Sequence, residues 1–140
     1  LLRSRGLGDV YKRQLMDKFD VVAAIIIKND KYFIAQRNKN KHMGLSWEFP
    51  GGKVEKGETF EIALKREIKE ELNINIAINN KFAEENYKDE KINVKLHYFL
   101  CSHISGEIYL NEHEDSAWIT KNEFKNYNFA EGDSDIINLL

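Results

Sequence analysis

Three glutamates carry the chemistry this sequence offers. Glu67, Glu70 and Glu71 stand at i, i+3 and i+4 of a segment with helical patterning, a spacing that sets all three carboxylates on one helix face. Leu64, Ile68 and Leu72 recur every four residues beside them. The acids therefore fall at the margin of a buried face, and Lys65 and Lys69 take the solvated back. Like charges at i, i+4 cost an isolated helix about 0.2–0.5 kcal/mol per pair, and partial desolvation raises that cost. A hard divalent cation bound through oxygen offsets it. The helix alone leaves a second reading open, a solvated acidic face with Arg66 as its counter-ion.

The elements around this helix must hold it against a core. Residues 20–28 (DVVAAIIIK) are an almost unbroken apolar, β-branched run, the pattern of a strand buried on both faces. Asn29 and Asp30 read as a turn, and 31–37 (KYFIAQR) as the returning strand of a hairpin. Residues 38–46 are a polar loop. Pro50-Gly51-Gly52 requires a turn with special backbone angles; the glycines alone fit an ordinary turn equally well. The periodicity predicts a helix over 59–72, with Thr59 as its N-cap and Asn73 as a left-handed residue after its end. Strands are expected at 92–101, at 107–110 and around Trp118-Ile119. Short helices are expected at 122–127 and from Ser134 to the end. There is no repeat, low-complexity tract or linker, so the chain reads as one mixed α/β domain.

Composition sets the outer limits. The 140 residues suit one domain, and 42% hydrophobic with 31% charged residues is ordinary for a globular chain. No apolar run approaches the roughly 18 residues of a membrane span. A net charge of −2 gives no bulk attraction to nucleic acid or anionic lipid, so neither a nucleic acid polymer nor a membrane is the expected partner. Cys101 is the only cysteine, which excludes an intrachain disulfide and a cysteine zinc cage and fits a cytoplasmic setting. His42, His97, His103 and His113 lack metal-ligand spacing and are expected in structural or surface roles. Residues 1–15 differ from the rest: Arg3, Arg5, Lys12 and Arg13 stand against Asp9 with no regular periodicity. They read as a non-native or disordered extension rather than a basic nucleic-acid arm, for which four cations without interleaved aromatics are a thin footprint. The domain itself is expected over 16–140.

A longer pattern decides between the two readings of the acids. Gly52 is followed after five residues by Glu58, and after seven more by Arg66-Glu67-Ile68-Lys69-Glu70-Glu71-Leu72-Asn73-Ile74. This closely resembles the Nudix box, and departs from it only at Asn73, where the box has a glycine that ends the helix. The resemblance implies a Nudix fold, an α-β-α sandwich around a mixed, curved β-sheet. It implies a Mg²⁺-dependent hydrolase, with Mn²⁺ able to substitute. Glu67, Glu70 and Glu71 become metal ligands, Arg66 the residue that orients a carboxylate, Glu58 a supporting hydrogen-bonding or ligand residue, and the Gly52 carbonyl a completing ligand.

The likeness extends over most of the chain from Met16. Trp47-Glu48-Phe49-Pro50-Gly51-Gly52-Lys53 is similar to the segment that precedes the box in the MutT branch, whose members remove unwanted nucleoside triphosphates ahead of DNA repair. By that likeness Arg37 and Lys53 bind substrate, and Phe49 and Trp47 give the base a floor. Glu112, six residues before Trp118, matches an outlying acid that serves as a further ligand or general base; a solvated loop glutamate is the alternative. Asp133, just ahead of the Ile136-Ile137 pair, takes the place of a base-reading residue, unless it caps the last helix. Residues resembling the branch with Asp here point to cytidine or oxidised-guanine nucleotides. The implied reaction is hydrolysis of a nucleoside triphosphate to monophosphate and pyrophosphate. A Nudix enzyme for ADP-ribose or dinucleoside polyphosphates, or a catalytically silent nucleotide-binding module, are the alternatives. Monomer and homodimer are both open.

Overall fold

The computed structural model describes residues 17–140; the extension expected over 1–15, and Met16, lie outside the described residues. The apolar run forms strand β1, Phe19–Lys28, and it is buried on both faces as its composition predicts. Val21, Ala23 and Ile25 point to one core, Val22, Ala24 and Ile26 to another, the two-residue alternation of a strand. Asn29 and Asp30 both take positive φ, 52° and 62°, which suits a two-residue hairpin turn. They return the chain into β2, Lys31–Gln36. After the 38–46 loop come two stubs, β3 (Trp47–Glu48) on β2 and β4 (Gly51–Lys53) on β1.

The helix α1 spans Phe60–Leu72. Thr59 caps it by accepting the Ile62 N–H at 3.1 Å, and Asn73 ends it in the left-handed region, φ 61°, with its N–H on the Lys69 carbonyl at 3.0 Å. Ala63, Leu64, Ile68 and Leu72 are buried against the even-numbered face of β1. Beyond it lie β5 (Asn75–Lys88), β6 (Asn93–Ser105) and β7 (Asp115–Ile119). The strands make one mixed sheet in the order β3-β2-β1-β6-β5, with β4 on β1 and β7 on β2. Only the β1–β6 pairing is parallel among these strand pairs. A 3₁₀ helix (Lys121–Asn126) and the helix α2 (Glu131–Ile136), followed by a 3₁₀ turn (Ile137–Leu139), put Phe124 and Ile136 against the odd-numbered face. The result is an α-β-α sandwich.

Three expectations need correction. The strand predicted at 107–110 is not one. That segment runs past the end of α1 instead, giving the Tyr109 N–H to the Leu72 carbonyl and the Asn111 N–H to the Glu71 carbonyl, so its hydrogen bonds serve the orphan carbonyls of the helix. The last helix starts at Glu131, not Ser134, which places Asp133 inside its first turn rather than at its N-cap. Finally, β5 was not anticipated at all; it lies at the sheet edge, and register shifts at three places break its alternation.

Candidate active site

A cleft of about 1060 Å³ opens beside β1, β4 and α1. Glu67, Glu70 and Glu71 line it from the helix, together with Gly52, Lys53, Phe49, Arg37, Arg66, Glu112 and Asp133. Glu58 does not line the cleft. Its carboxylate pairs with Arg66 at 2.6 and 2.8 Å, and these bonds hold it down at about 2. Arg66 also reaches Glu67 at 2.9 Å and Glu70 at 3.4 Å. It is thus the clip that orders the acidic face, the bidentate geometry suiting a guanidinium.

Glu71 is the least comfortable acid among the described residues. It is 9% exposed, and its Oε1 is buried without a hydrogen-bond partner. Burial, then the charges of Glu48 and Glu67, hold its carboxyl well above the usual range. Burial also raises Glu67, although Arg66 draws it part of the way back. A Cβ built on Gly52 would land on the Glu67 carboxylate, so only bare backbone fits there. An orphaned buried oxygen, crowded carboxylates and an adjacent backbone cradle are the all-oxygen donor chemistry that a hard divalent cation takes. The side chains do not already close on one point: among the described residues no three acidic, histidine or cysteine groups form a ready ligand set. Arg66 pulls Glu67 and Glu70 towards itself, and Lys41 pairs with Glu112 at 3.2 Å.

The sequence did not single out Glu48. Its carboxylate is held between Arg37 Nη1 at 2.8 Å and His113 Nε2 at 2.9 Å. Burial raises its pKa, but these two partners outweigh burial and bring it below the ordinary value. Arg37 is 8% exposed and also donates Nε–H to the His42 carbonyl at 2.7 Å, so it is an internal brace rather than a free strand-end cation. His113 lines the cleft with its Nδ1 buried and unpartnered while its Nε2 braces Glu48. An acid between Trp47 and Phe49, next to a Pro-Gly-Gly turn, is out of place in a solvated loop, and that was the available signal.

Asp133 is 6% exposed. It accepts the Phe49 N–H at 3.0 Å and the Tyr98 hydroxyl proton. Burial, reinforced by the Glu48 charge, raises it to about 7. A small side pocket of about 60 Å³ adjoins it, lined by Tyr87, Ile92 and Val94 among others. Phe49 is mostly core, packed on Phe129, Tyr98 and Phe124. Trp47 stacks edge-on against Tyr127 and does not line the cleft. Lys53 lies over the Phe19 ring at 4.9 Å.

The family model described as NUDIX domain matches residues 18–140. The 8-oxo-dGTP diphosphatase of Buchnera aphidicola subsp. Schizaphis graminum is 38% identical over 121 residues, covering 86% of this chain and 92% of that protein. The CTP pyrophosphohydrolase of Escherichia coli is 33% identical, covering 84% and 87%. In structure, the DNA mismatch repair protein MutT from methicillin-resistant Staphylococcus aureus 252 superposes with a TM-score of 0.72 at 35% identity, over 89% of this chain and 95% of that one. The chain belongs to the Nudix hydrolase family, in its MutT-like branch. It is a Nudix pyrophosphohydrolase, of a family generally dependent on divalent metal.

Proposed function

We propose that this chain hydrolyses a modified, pyrimidine or oxidised-purine nucleoside triphosphate to the monophosphate and pyrophosphate, clearing it from the cytoplasmic nucleotide pool. Glu71 carries the reading: a buried carboxylate with an orphaned oxygen, crowded by Glu48 and Glu67, in the same cleft as Asp133. The names of the relatives in Buchnera aphidicola and Escherichia coli support the substrate class.

Glu67, Glu70, Glu71 and Glu112 would hold Mg²⁺, or Mn²⁺ in its stead, with the Gly52 carbonyl in support, while Glu58 acts from outside the cleft through its hydrogen bonds to Arg66. When bound, the cation would supply Lewis-acid chemistry, offsetting the negative charge that builds up in the transition state. One glutamate of the set accepts the proton of the attacking water. Arg66 keeps Glu67 and Glu58 in place. Arg37 shapes the substrate side of the cleft through Glu48, and Lys53 and Phe49 border it. Asp133, titrating near neutrality, can accept from an exocyclic amine when ionised and donate when protonated. The working domain is 16–140, as a monomer or homodimer.

The test is product analysis on CTP, dCTP, 5-methyl-dCTP, dGTP, 8-oxo-dGTP, ADP-ribose and a dinucleoside polyphosphate with Mg²⁺, with Glu71→Gln as control. Monophosphate and pyrophosphate from one triphosphate, lost in the control, are expected. Cleavage of ADP-ribose alone would overturn the substrate assignment.

A further inference from the structure

Lys41 stands out because its loop is built to present it. Residue 38 starts the loop with two internal bonds, Asn38 O accepting the Lys41 N–H at 3.1 Å and its Oδ1 the Asn40 N–H at 3.0 Å. Arg37 braces the far side, its carbonyl taking the Leu45 N–H at 2.9 Å and its Nε–H bonding the His42 carbonyl. His42 in turn meets Asp89 at 2.8 Å, fastening the loop to the connection between β5 and β6. The Lys41 side chain therefore enters the cleft from a fixed backbone.

Most other cations that line the cleft are committed to partners. Arg37 serves Glu48, Arg66 serves Glu58 and Glu67, and Lys53 lies over Phe19. Lys56 is on the exposed turn ahead of α1. Lys41 has a looser tie, to Glu112 at 3.2 Å, with the two side chains 40% and 51% exposed. Exposed pairs of this kind contribute little, so Lys41 can leave Glu112 at small cost. A divalent cation and an ammonium also compete for one carboxylate, and whichever binds Glu112 more strongly releases the other.

We propose that Lys41 is a substrate-binding residue that leaves Glu112 to hold the phosphate chain of the nucleotide; this rests on the proposed function. A lysine ammonium is a compact point charge suited to phosphate, and its loop brings it to the acids from an element other than the helix. The competing role is a plain counter-ion, which would neutralise Glu112 and ease the charge on Glu71 without touching substrate.

Calorimetric titration of inorganic tripolyphosphate in the presence of Mg²⁺, and of Mg²⁺ alone, into the full chain separates the two roles. Lys41→Ala is expected to weaken tripolyphosphate binding about tenfold, the effect of one lost charge-assisted contact. It should raise KM for the cleaved triphosphate by a similar factor and leave kcat within about twofold. Lys41→Arg should recover most of the loss. Unchanged tripolyphosphate affinity in Lys41→Ala, with Mg²⁺ bound more tightly, would overturn the inference in favour of the counter-ion. If the unaltered protein cleaves no nucleoside triphosphate, the proposed function fails, and the tripolyphosphate titration still decides the role of Lys41.

Discussion

Asp133, in the first turn of α2, accepts the backbone N–H of Phe49 at 3.0 Å, and this bond fastens the last helix to the chain just ahead of the Pro50-Gly51-Gly52 turn. The same carboxyl takes the Tyr98 hydroxyl from β6. One acid thus joins three elements under the cleft, at residues 84 apart in sequence for the Phe49 contact.

That acid makes stability fall as pH rises. Burial lifts Asp133 from its ordinary 3.8 to about 7, so the folded state holds its proton over a range where the unfolded chain has lost it. Its contribution is fully present below about pH 4 and is lost as pH rises through about 7. Asp133→Asn keeps an acceptor for the Phe49 N–H and, with its amide N–H, donates to the Tyr98 hydroxyl oxygen in place of accepting from it, without the charge. Its stability relative to the parent, read from urea melts between pH 4 and 8, should improve with pH by up to a few kcal/mol and level off above about 7. A constant difference over that range would show that Asp133 titrates normally.

Glu71→Gln should separate folding from catalysis. The Glu71 carboxyl is held well above its usual range by burial and by Glu48 and Glu67, so its ionisation burdens the folded state increasingly as pH rises. Without added metal, the glutamine variant should be more stable than the parent at pH 8 by about 1–2 kcal/mol. Mg²⁺ should raise the melting temperature of the parent and do little for the variant, whose turnover should fall by orders of magnitude. Equal stabilisation of both proteins by Mg²⁺ would place the cation elsewhere.

Glu48→Ala should be costly for a different reason. It would strip Arg37 and His113 of their shared carboxylate, leaving a guanidinium at 8% exposure without its ion-pair partner. Breaking a buried pair from one side typically costs about 3–5 kcal/mol. Glu48→Gln keeps one acceptor and should lose less. Because Glu48 is held below its ordinary value, its contribution is present above the usual carboxylate range and is lost as pH falls. The Glu48→Ala penalty in denaturant melts should therefore shrink towards acid pH.

Local pattern explains which parts could be read in the sequence. The β1 run, the Asn29-Asp30 turn and the capped helix each follow from residues within a few positions of one another, and the three box glutamates share a face by spacing alone. By contrast, β5 carries register shifts between Asn75/Ile76, Ile78/Asn80 and Lys81/Ala83, and each shift resets the two-residue alternation on which a strand is recognised. The segment 107–110 has strand-like composition, yet its hydrogen bonds go to the end of α1. Glu48 and His113 are 65 residues apart, and no spacing rule brings them together. Arg37 could be read as a cation near the site, but its role as a brace depends on Glu48 and the His42 carbonyl.

The two adjacent glycines before the box should respond to alanine in opposite ways. At Gly51 an added Cβ would meet the Val22 carbonyl and the Ala23 backbone, within the pairing of β4 with β1. Backbone in a central strand cannot step aside, so Gly51→Ala should destabilise the fold by about 1–3 kcal/mol or more. At Gly52 the added Cβ would meet only the Glu67 carboxylate, the end of a flexible side chain that can swing away. Gly52→Ala should then keep stability within about 1 kcal/mol of the parent while displacing Glu67 from Arg66 and the cleft. Since misplacement of about 1 Å can cost about a hundredfold in rate, its turnover should fall that far or further. Thermal melts beside steady-state rates check both variants. A Gly52→Ala protein with full activity would mean that the position of Glu67 does not matter to the reaction.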